Sequence, residues 1–491
     1  MHTPLQMVSD LGSELSTWAA LLIAAELFTL LTVPSVLLSR RGQPAAALSW
    51  TLALVALPLL GVLAWWLLGR SHLERKSLLR KRARWQVRKG FSYLRPETVT
   101  LPTEVGDVFN AIRRLPEGEA GGLHAPVAGN RVTILRDGSE TYAALERAIA
   151  AAEHHLHLLF YTFEPDATGR RFRDLLAERA RSGVRVRLLL DAMGSFRTRS
   201  SFLRPLEDAG GEVAFFAPVK FLRRSLSFNF RNHRKIMVAD GHTAYAGGLN
   251  IGDTYLRDWR DAGLLLEGPV ASQLQEVFLD DWFFATGRNL ADRDHLRWCE
   301  APGPEPGERG AVCAVVAGGP DSQHNLTHDT FFLALTRARE RVWITTPYFI
   351  PDPAIQAALR TAVYSGVDVR LLVPRRSDLP WTRFAGRSYF PDLLSSGARI
   401  WEYLPTILHG KTWVFDRDFC AAGSANLDTR SFKLNFEVTC FIRDAAANAL
   451  LAQLFEEDLT QSAEVTPESL AKTSGSQRLL ESALNLFSPL L

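Results

Sequence analysis

The chain has 491 residues, more than one ordinary domain holds, and its hydrophobic fraction of 47% is ordinary for a globular protein with large cores. The formal net charge is only +3, so the average excludes no class of partner and the distribution of charge must be read instead. The four cysteines (Cys299, Cys313, Cys420 and Cys440) form no C-x-x-C pair, which argues for buried free thiols over a metal site or a disulfide framework.

Trp18 to Leu38 is mostly apolar with one charge, Glu26, and no residue from Gly42 to Gly69 is charged. The second run is long enough to span a bilayer, so residues 1–69 are expected to form a transmembrane hairpin. A cleaved signal peptide fits poorly, because a basic leader is missing and a second apolar span follows. Nine basic residues against Glu74 follow between Arg70 and Lys89, which suits contact with anionic lipid. They outweigh Arg40 and Arg41 in the short loop, so both termini and the bulk of the chain are expected in the cytoplasm. Residues 93–130 are rich in Pro and Gly and read as linker, making 70–130 a basic juxtamembrane segment and linker.

Strands and helices then alternate twice. Strands are expected at Arg131–Leu135, His155–Phe163 and Val184–Leu190, with helices at Thr141–His154 and Arg170–Ser182. The second set has helices at Phe331–Arg341 and Ala354–Ser365 and strands at Val342–Thr346 and Val367–Val373. Ser182–Leu190 (SGVRVRLLL) mirrors Ser365–Val373 (SGVDVRLLV), and APGPEPGERG at 301–310 separates the halves. The fold class is therefore α/β: halves 131–300 and 311–491, each a mixed sheet flanked by helices, meeting face to face. The tail from Gln453 to Leu491 ends RLLESALNLFSPLL and reads as an amphipathic helix packed on the sheet, with a lipid surface as the other option.

One stretch in the first half carries chemistry. Asn232 to Asn250 contains H-x-K-x4-D as His233, Lys235 and Asp240, within a strand, Asp-Gly turn and strand. Residues two apart on a strand share a face, so His233 and Lys235 point the same way. Asp240 falls at the turn, where it suits bracing the hairpin more than touching a substrate. The second half repeats the pattern with His409, Lys411 and Asp416. Asn250 and Asn426 each lie 17 positions after their histidine, and Asp261 and Glu437 each lie 28 after. Gly247-Gly248 answers Gly423-Ser424. His154, His155 and His157 cluster without acidic or cysteine partners at ligand spacing, so no metal is expected there. H-E-x-x-H, Walker and G-x-S-x-G motifs are missing from the sequence, which argues against zinc proteases, NTPases and serine hydrolases. Lys220, Arg223, Arg224, Arg231 and Arg234 lead into the first motif; Arg224, Arg231 and Arg234 are candidates for binding a phosphate.

These residues resemble the phospholipase D superfamily, marked by a duplicated H-x-K-x4-D motif. NHRKIMVADGHTAYAGGLNIGDTY, TPYFIPD (Thr346 to Asp352) and GSANLDTRSFKLNFE (Gly423 to Glu437) look like bacterial cardiolipin synthases, and the likeness covers nearly the whole chain. Ala47-Leu48-Ser49-Trp50, followed by Pro58 and Gly61, is similar to the second span of their two-helix anchor. The resemblance implies two phospholipase D-like halves sharing one site, with His233, Lys235, Asp240, His409, Lys411 and Asp416 as the catalytic set. Gly410 and Trp413 stand where relatives carry Ala or Ser and a smaller aliphatic residue, which bears on pocket shape.

Phosphodiester transfer needs a nucleophile, a proton donor for the leaving alkoxide, and cations. One histidine attacks phosphorus and the other moves the proton. Lys235 and Lys411 neutralise phosphate oxygens, with Asn250 and Asn426 as hydrogen-bond donors. Asp261 and Glu437 are candidates to hold the far nitrogen of the histidines. No cofactor or metal is needed. By resemblance His233 is the nucleophile and His409 the acid, although the near-symmetry allows the swap. The expected activity is a membrane phosphatidyltransferase of the bacterial inner membrane, making cardiolipin and glycerol from two phosphatidylglycerols. Its partners would be phosphatidylglycerol, other anionic phospholipids and the membrane, with no nucleic acid. The rivals are a phospholipase D that hands the group to water and a catalytically silent lipid-binding scaffold. The acceptor alcohol and the oligomeric state stay open.

Overall fold

The computed structural model describes residues 26–41, 44–69, 124–216, 230–291, 310–320 and 325–488, with isolated positions at 19, 23, 87, 108 and 109. The described residues fall into two units, an N-terminal one ending at Gly69 and a body that holds Val87, Val108, Phe109 and the described residues from His124 onward. The basic run from Arg70 to Lys89 (Val87 apart), and Lys220, Arg223, Arg224 and Cys299, lie outside the described residues, as does nearly all of the expected 301–310 linker.

In the N-terminal unit, residues 26–39 are helical and a turn leads into a second helix, Pro44–Ala56. That helix stops because Pro58 lacks an N–H and clashes with the preceding turn; a new piece runs over Pro58–Ala64 and tightens into a π-helical turn at Trp65–Gly69. Among the described residues no single helix is long and apolar enough to cross a membrane. The pieces pack through Val36, Leu54 and Trp65, with Trp65 Nε1 donating to Ser35 Oγ at 3.3 Å. Leu31, Leu38, Leu59 and Leu60 lie exposed on the outside.

The body begins with β1 (Val127–Leu135), α1 (Gly138–Ala151), β2 (His155–Phe160), α2 (Ala167–Arg181), β3 (Arg185–Asp191), α3 (Ser200–Asp208) and β4 (Glu212–Phe216). Its first half continues through β5 (Arg231–Asn232), β6 (Ile236–Ala239), β7 (Thr243–Gly247), α4 (Asp253–Arg257), β8 (Trp259–Arg260), β9 (Gly263–Glu267) and α5 (Val270–Thr286). The second half opens with β10 (Ala311–Gly318), α6 (Leu326–Arg337), β11 (Arg341–Thr345), β12 (Phe349–Ile350), α7 (Pro353–Tyr364), β13 (Asp368–Pro374), α8 (Pro380–Arg387), α9 (Phe390–Ser396) and β14 (Arg399–Tyr403). It ends with β15 (Ile407–Leu408), β16 (Thr412–Phe415), β17 (Phe419–Gly423), β18 (Leu427–Asp428), α10 (Thr429–Lys433), β19 (Asn435–Arg443), α11 (Ala445–Thr460), β20 (Ser462–Val465), α12 (Pro467–Ala471) and α13 (Gly475–Asn485). Asp137, Asp166, Asp352 and Asp444 cap α1, α2, α7 and α11 by accepting the backbone N–H groups of the first turn.

The strand order is β20-β14-β13-β11-β16-β17-β19-β10-β1-β9-β7-β6-β2-β3-β4. Apart from the edge strand β20, it reads the same from both ends once halves are exchanged, with the pseudo-twofold between β10 and β1. The halves are thus joined edge to edge, through β1 against β10, as well as over a common core. That core holds Ala244, Ala246 and Leu264 of the first half with Ala422, Val438 and Cys440 of the second. The expected face-to-face meeting is therefore only part of the contact. β1 starts at Val127, four residues inside the expected linker, because its early residues pair with β10. Cys313, Cys420 and Cys440 are buried free thiols.

Candidate active site

His233 follows the short β5, which pairs in parallel with the start of β19, and His409 follows β15, which pairs in parallel with β8. Each histidine is thus delivered by a strand that lies on the other half. The carboxylates follow suit. His233 Nδ1 lies 3.0 Å from Glu437 Oε1, and His409 Nδ1 lies 2.7 Å from Asp261 Oδ2. Each carboxylate sits 28 positions after the histidine of its own half, yet holds the histidine of the opposite half.

Both lysines curl back on the carbonyl of their own histidine, and Lys411 Nζ also lies 2.5 Å from His409 Nδ1. Lys235 Nζ donates to the His233 carbonyl at 2.6 Å, and Lys411 Nζ to the His409 carbonyl at 2.5 Å. Lys411 Nζ is also 3.7 Å from Asp261. The two centres feel one another: Lys235 and His233 both press on His409, and Lys411 on Lys235. His233 is the more open, its side chain 13% exposed against 4% for His409.

Burial dominates the protonation of the site. It pulls His233 below the usual histidine range, and Glu437 opposes it only in part. Burial, then Lys411, hold His409 well below that range. Burial pushes Lys235 down to about 7 and lowers Lys411. It raises Asp261, whereas for Glu437 the His233 charge and hydrogen bond outweigh it, leaving that carboxyl below its ordinary value. Further bonds hold Glu437: Ser424 Oγ donates to it at 2.5 Å and Asn435 Nδ2 at 3.1 Å. On the other side Gly248 stands where Ser424 would be, because a Cβ there would lie 2.4 Å from Asp261 Oδ1.

The other expected site residues separate. Asp240 and Asp416 turn away from the histidines and sit at positive φ in the hairpin turns, so their place in the catalytic set is corrected to a brace. Asp240 accepts the N–H groups of Glu153, His154 and His155, and Asp416 those of Arg339, Glu340 and Arg341. Arg234 is also corrected: its guanidinium is buried, bonded to Asp281 at 2.6 Å, the Glu437 carbonyl at 3.0 Å and the Gly318 carbonyl at 2.9 Å. Arg231 stays half-buried beside Tyr161, and Arg224 lies outside the described residues. Asn250 Oδ1 accepts Thr162 N–H at 3.0 Å, and Asn426 Nδ2 meets Asp428 at 3.3 Å.

Aromatic and basic neighbours were not anticipated. Tyr161 packs 4.9 Å from the His233 ring with Lys235 over its face, while Trp259 packs 4.2 Å from the His409 ring. Tyr348 approaches His409 at 6.3 Å and hydrogen-bonds Asp378 at 2.8 Å. Arg430 is largely buried and electrostatically coupled to Arg231, Asp428, Tyr161 and Glu437. The spacing did not mark them, because the matching positions differ in type: Trp259 and Asn435 are each 26 positions after their histidine, and Thr254 and Arg430 each 21 after.

A family profile described as "Cardiolipin synthase, PLD-like domain" matches residues 145–282 and 332–459, and one described as "Phospholipase_D-nuclease N-terminal" matches 27–70. Cardiolipin synthase 2 of Bacillus cereus is 37% identical over 467 residues, covering 93% of this chain and 89% of that protein. Cardiolipin synthase of Geobacillus kaustophilus is 36% identical (91% and 89% covered), and a probable cardiolipin synthase of Bacillus subtilis 34% identical (94% and 92%). Among solved structures, phosphatidylserine synthase of Haemophilus influenzae aligns with a TM-score of 0.56 at 14% identity, covering 78% of this chain and all of that one, a likeness of fold. The chain is an enzyme of the phospholipase D type. It belongs to the cardiolipin synthase family, and with it to phospholipid biosynthesis.

Proposed function

We propose that this enzyme transfers a phosphatidyl group through a histidine intermediate, forming cardiolipin and glycerol from two phosphatidylglycerols. The observation that carries the reading is the pair of crossed histidine–carboxylate contacts beside Lys235 and Lys411. His233 attacks phosphorus and the bond to the glycerol oxygen breaks. His409 gives that oxygen its proton, then takes one from the incoming hydroxyl, which attacks the same phosphorus and frees His233. Lys235 and Lys411 hold the phosphate oxygens, and Asn250 and Asn426 add hydrogen bonds there. Burial favours the neutral, nucleophilic form of His233. An anionic phosphodiester beside His409 offsets the lysines and raises its basicity, so the substrate prepares its own acid. Arg430 and Arg231 lie on the Tyr161 side, next to His233, which suits the nucleophilic role there.

The enzyme would work at the bacterial inner membrane. The exposed leucines of the N-terminal helices support an anchor there, residues 1–69, with the basic run following it against anionic lipid on the cytoplasmic side. The remaining division is 70–130 as connector and 131–300 and 311–491 as the halves, either side of 301–310.

Purified protein with phosphatidylglycerol should yield cardiolipin and glycerol, and added glycerol should drive the reaction back, since one phosphodiester replaces another. Phosphatidic acid as the main product, with no reversal, would identify a hydrolase instead. His233→Ala and His409→Ala should each abolish transfer, and the double variant should be no worse, because the two act as a unit.

A further inference from the structure

The pseudo-twofold is broken at several positions beside the site, and at one of them a cavity opens. On the His233 side, the position 21 after the histidine of its half is Arg430, and its charge meets Arg231, Asp428 and Tyr161. On the His409 side the matching position is Thr254, and there the surface opens into a cavity of about 300 Å³. That lies at the lower end of the range for small-ligand sites, roughly 300–1,000 Å³. Its walls include Glu164, Asp166, Arg197, Thr254, Tyr255 and Trp259. Trp259 belongs to both places, because the same ring lies 4.2 Å from His409. Tyr255 packs on it at 4.8 Å and completes an aromatic wall toward the histidine.

The lining is suited to hydroxyl groups. Asp166 has one oxygen on Gly169 N–H and the other on Asp253 N–H, so it shapes the wall and has little left to give. Glu164 is different. Its ion pair among the described residues is to Arg197 at 3.7 Å, longer than a hydrogen bond. A carboxylate in that state accepts two O–H donors at once, as adjacent hydroxyls of a polyol supply them. Thr254 both donates and accepts, and Arg197, on an exposed side chain, donates. Two carboxylates against one arginine disfavour a second phosphate here, whereas the Arg430 side favours one. Burial already raises Glu164 above the ordinary carboxyl range, as for a group whose solvent has been partly replaced by wall.

We propose that this cavity is the polyol subsite of the enzyme: it holds the glycerol headgroup beside His409, first as leaving group and then as part of the incoming alcohol. The inference rests on the phosphatidyl-transfer reading and gives that reading its acceptor. In the first step the P–O bond to the bound glycerol breaks as the P–N bond to His233 forms, and His409 supplies the proton. In the second, the hydroxyl of the next headgroup loses its proton to His409, its oxygen bonds phosphorus, and the P–N bond breaks. Glu164 touches hydroxyls that do not react, so it selects the alcohol and leaves the chemistry to the histidines.

The test separates selection from chemistry. The full-length protein in detergent is given phosphatidyl-p-nitrophenol, whose leaving group needs neither a polyol site nor an acid. Nitrophenol release reports loading of His233. Glycerol and ethanol at fixed concentrations then compete for the phosphatidyl group, and the ratio of phosphatidylglycerol to phosphatidylethanol is read. Glu164→Gln should lower that ratio about tenfold, the effect of weakening a hydrogen bond to a charged group, while nitrophenol release stays within about twofold. Arg197→Gln, at an exposed side chain, should lower the ratio in the same direction. An unchanged ratio in both variants, or equal loss of both products, overturns the subsite. With ethanolamine in place of ethanol as the competitor, a parent enzyme that prefers the amine and loses that preference in Glu164→Gln also overturns it, since the cavity would then be an amine site. If the parent releases nitrophenol but makes only phosphatidic acid, or releases none, the transfer reading itself fails and the subsite falls with it.

Discussion

Arg234 and Lys235 are neighbours in sequence with opposite surroundings. The expected strand alternation across His233, Arg234 and Lys235 does not apply, because the three form the link between β5 and β6; there His233 and Lys235 reach the site while Arg234 turns out of it. The basic cluster before the motif hid this, since charge along a sequence carries no face. Arg234 instead ties Asp281 of α5 to the carbonyls of Gly318 and Glu437 in the second half. With both ion-pair partners buried, Arg234→Ala leaves a charge unpaired and should cost about 3–5 kcal/mol, read as a large fall in melting temperature. A normal melting temperature with a raised KM would return Arg234 to the substrate. Glu437 offers a second test at this scale. It raises the pKa of His233 against burial, so Glu437→Gln should move the acid limb of kcat/KM to lower pH while cutting the rate. An acid limb that moves up would mean another group controls it. The parent should also lose kcat/KM above about pH 7, where Lys235 gives up its proton in the free enzyme.

At the scale of elements, the repeated αβ pattern was legible because apolar periodicity sets strands and helices locally. Helix α1 was expected at Thr141–His154 and lies at Gly138–Ala151, the earlier start set by the Asp137 cap. What local pattern could not give was α5. It carries Gln273, Gln275, Glu276, Asp280 and Asp281, which on a surface helix would face water, and all are buried. Gln275 explains the histidine cluster: its Oε1 meets His155 Nε2 at 3.0 Å and its Nε2 meets His157 Nδ1 at 2.7 Å. Among the described residues no group of histidine, cysteine and carboxylate side chains could hold a metal ion. Burial holds His155 down to about 4 and His157 well below its ordinary value. A histidine with a depressed folded pKa supports the fold above the unfolded value near 6.5 and loses that support as pH falls toward the folded value. Stability should therefore drop between about pH 6.5 and 4, on the order of 1.4 kcal/mol per pH unit for each such group. Replacing Gln275 with Leu removes the bond that favours protonated His155 and should carry that loss on to lower pH; a melting temperature flat across the window in both proteins would contradict the assignment. Helix α13 reverses another expectation. It docks by its polar side, with Glu481 on Arg387 at 2.9 Å and Asn485 on Tyr389 at 2.8 Å, and leaves Leu479, Leu480, Leu486 and Phe487 exposed.

For the molecule as a whole, the duplication was readable in the matching offsets, but the crossing was not, because offsets count along one half and contacts form between two. β5 lies on β19 and β8 on β15, so each histidine is carried to the other half before it meets a carboxylate. Local pairing and crossed pairing make opposite forecasts for the same two substitutions. In the crossed arrangement Asp261 serves His409, the proton carrier, and Glu437 serves His233, the nucleophile. A donor with a nitrophenol headgroup needs no acid to leave, so its initial burst depends on His233 alone. Asp261→Asn should then keep most of the burst but slow turnover with phosphatidylglycerol by about 100-fold or more, within the usual contribution of a proton-transfer group, roughly 10²–10⁴-fold. Glu437→Gln should weaken the burst itself, because a histidine without its carboxylate loses orientation and basicity. The pattern would invert if each carboxylate served the histidine of its own half, or if His409 were the nucleophile. Trapping the adduct distinguishes those two cases: a phosphatidyl group found on His233 with the inverted pattern would refute the crossing, and one found on His409 would exchange the roles while keeping it.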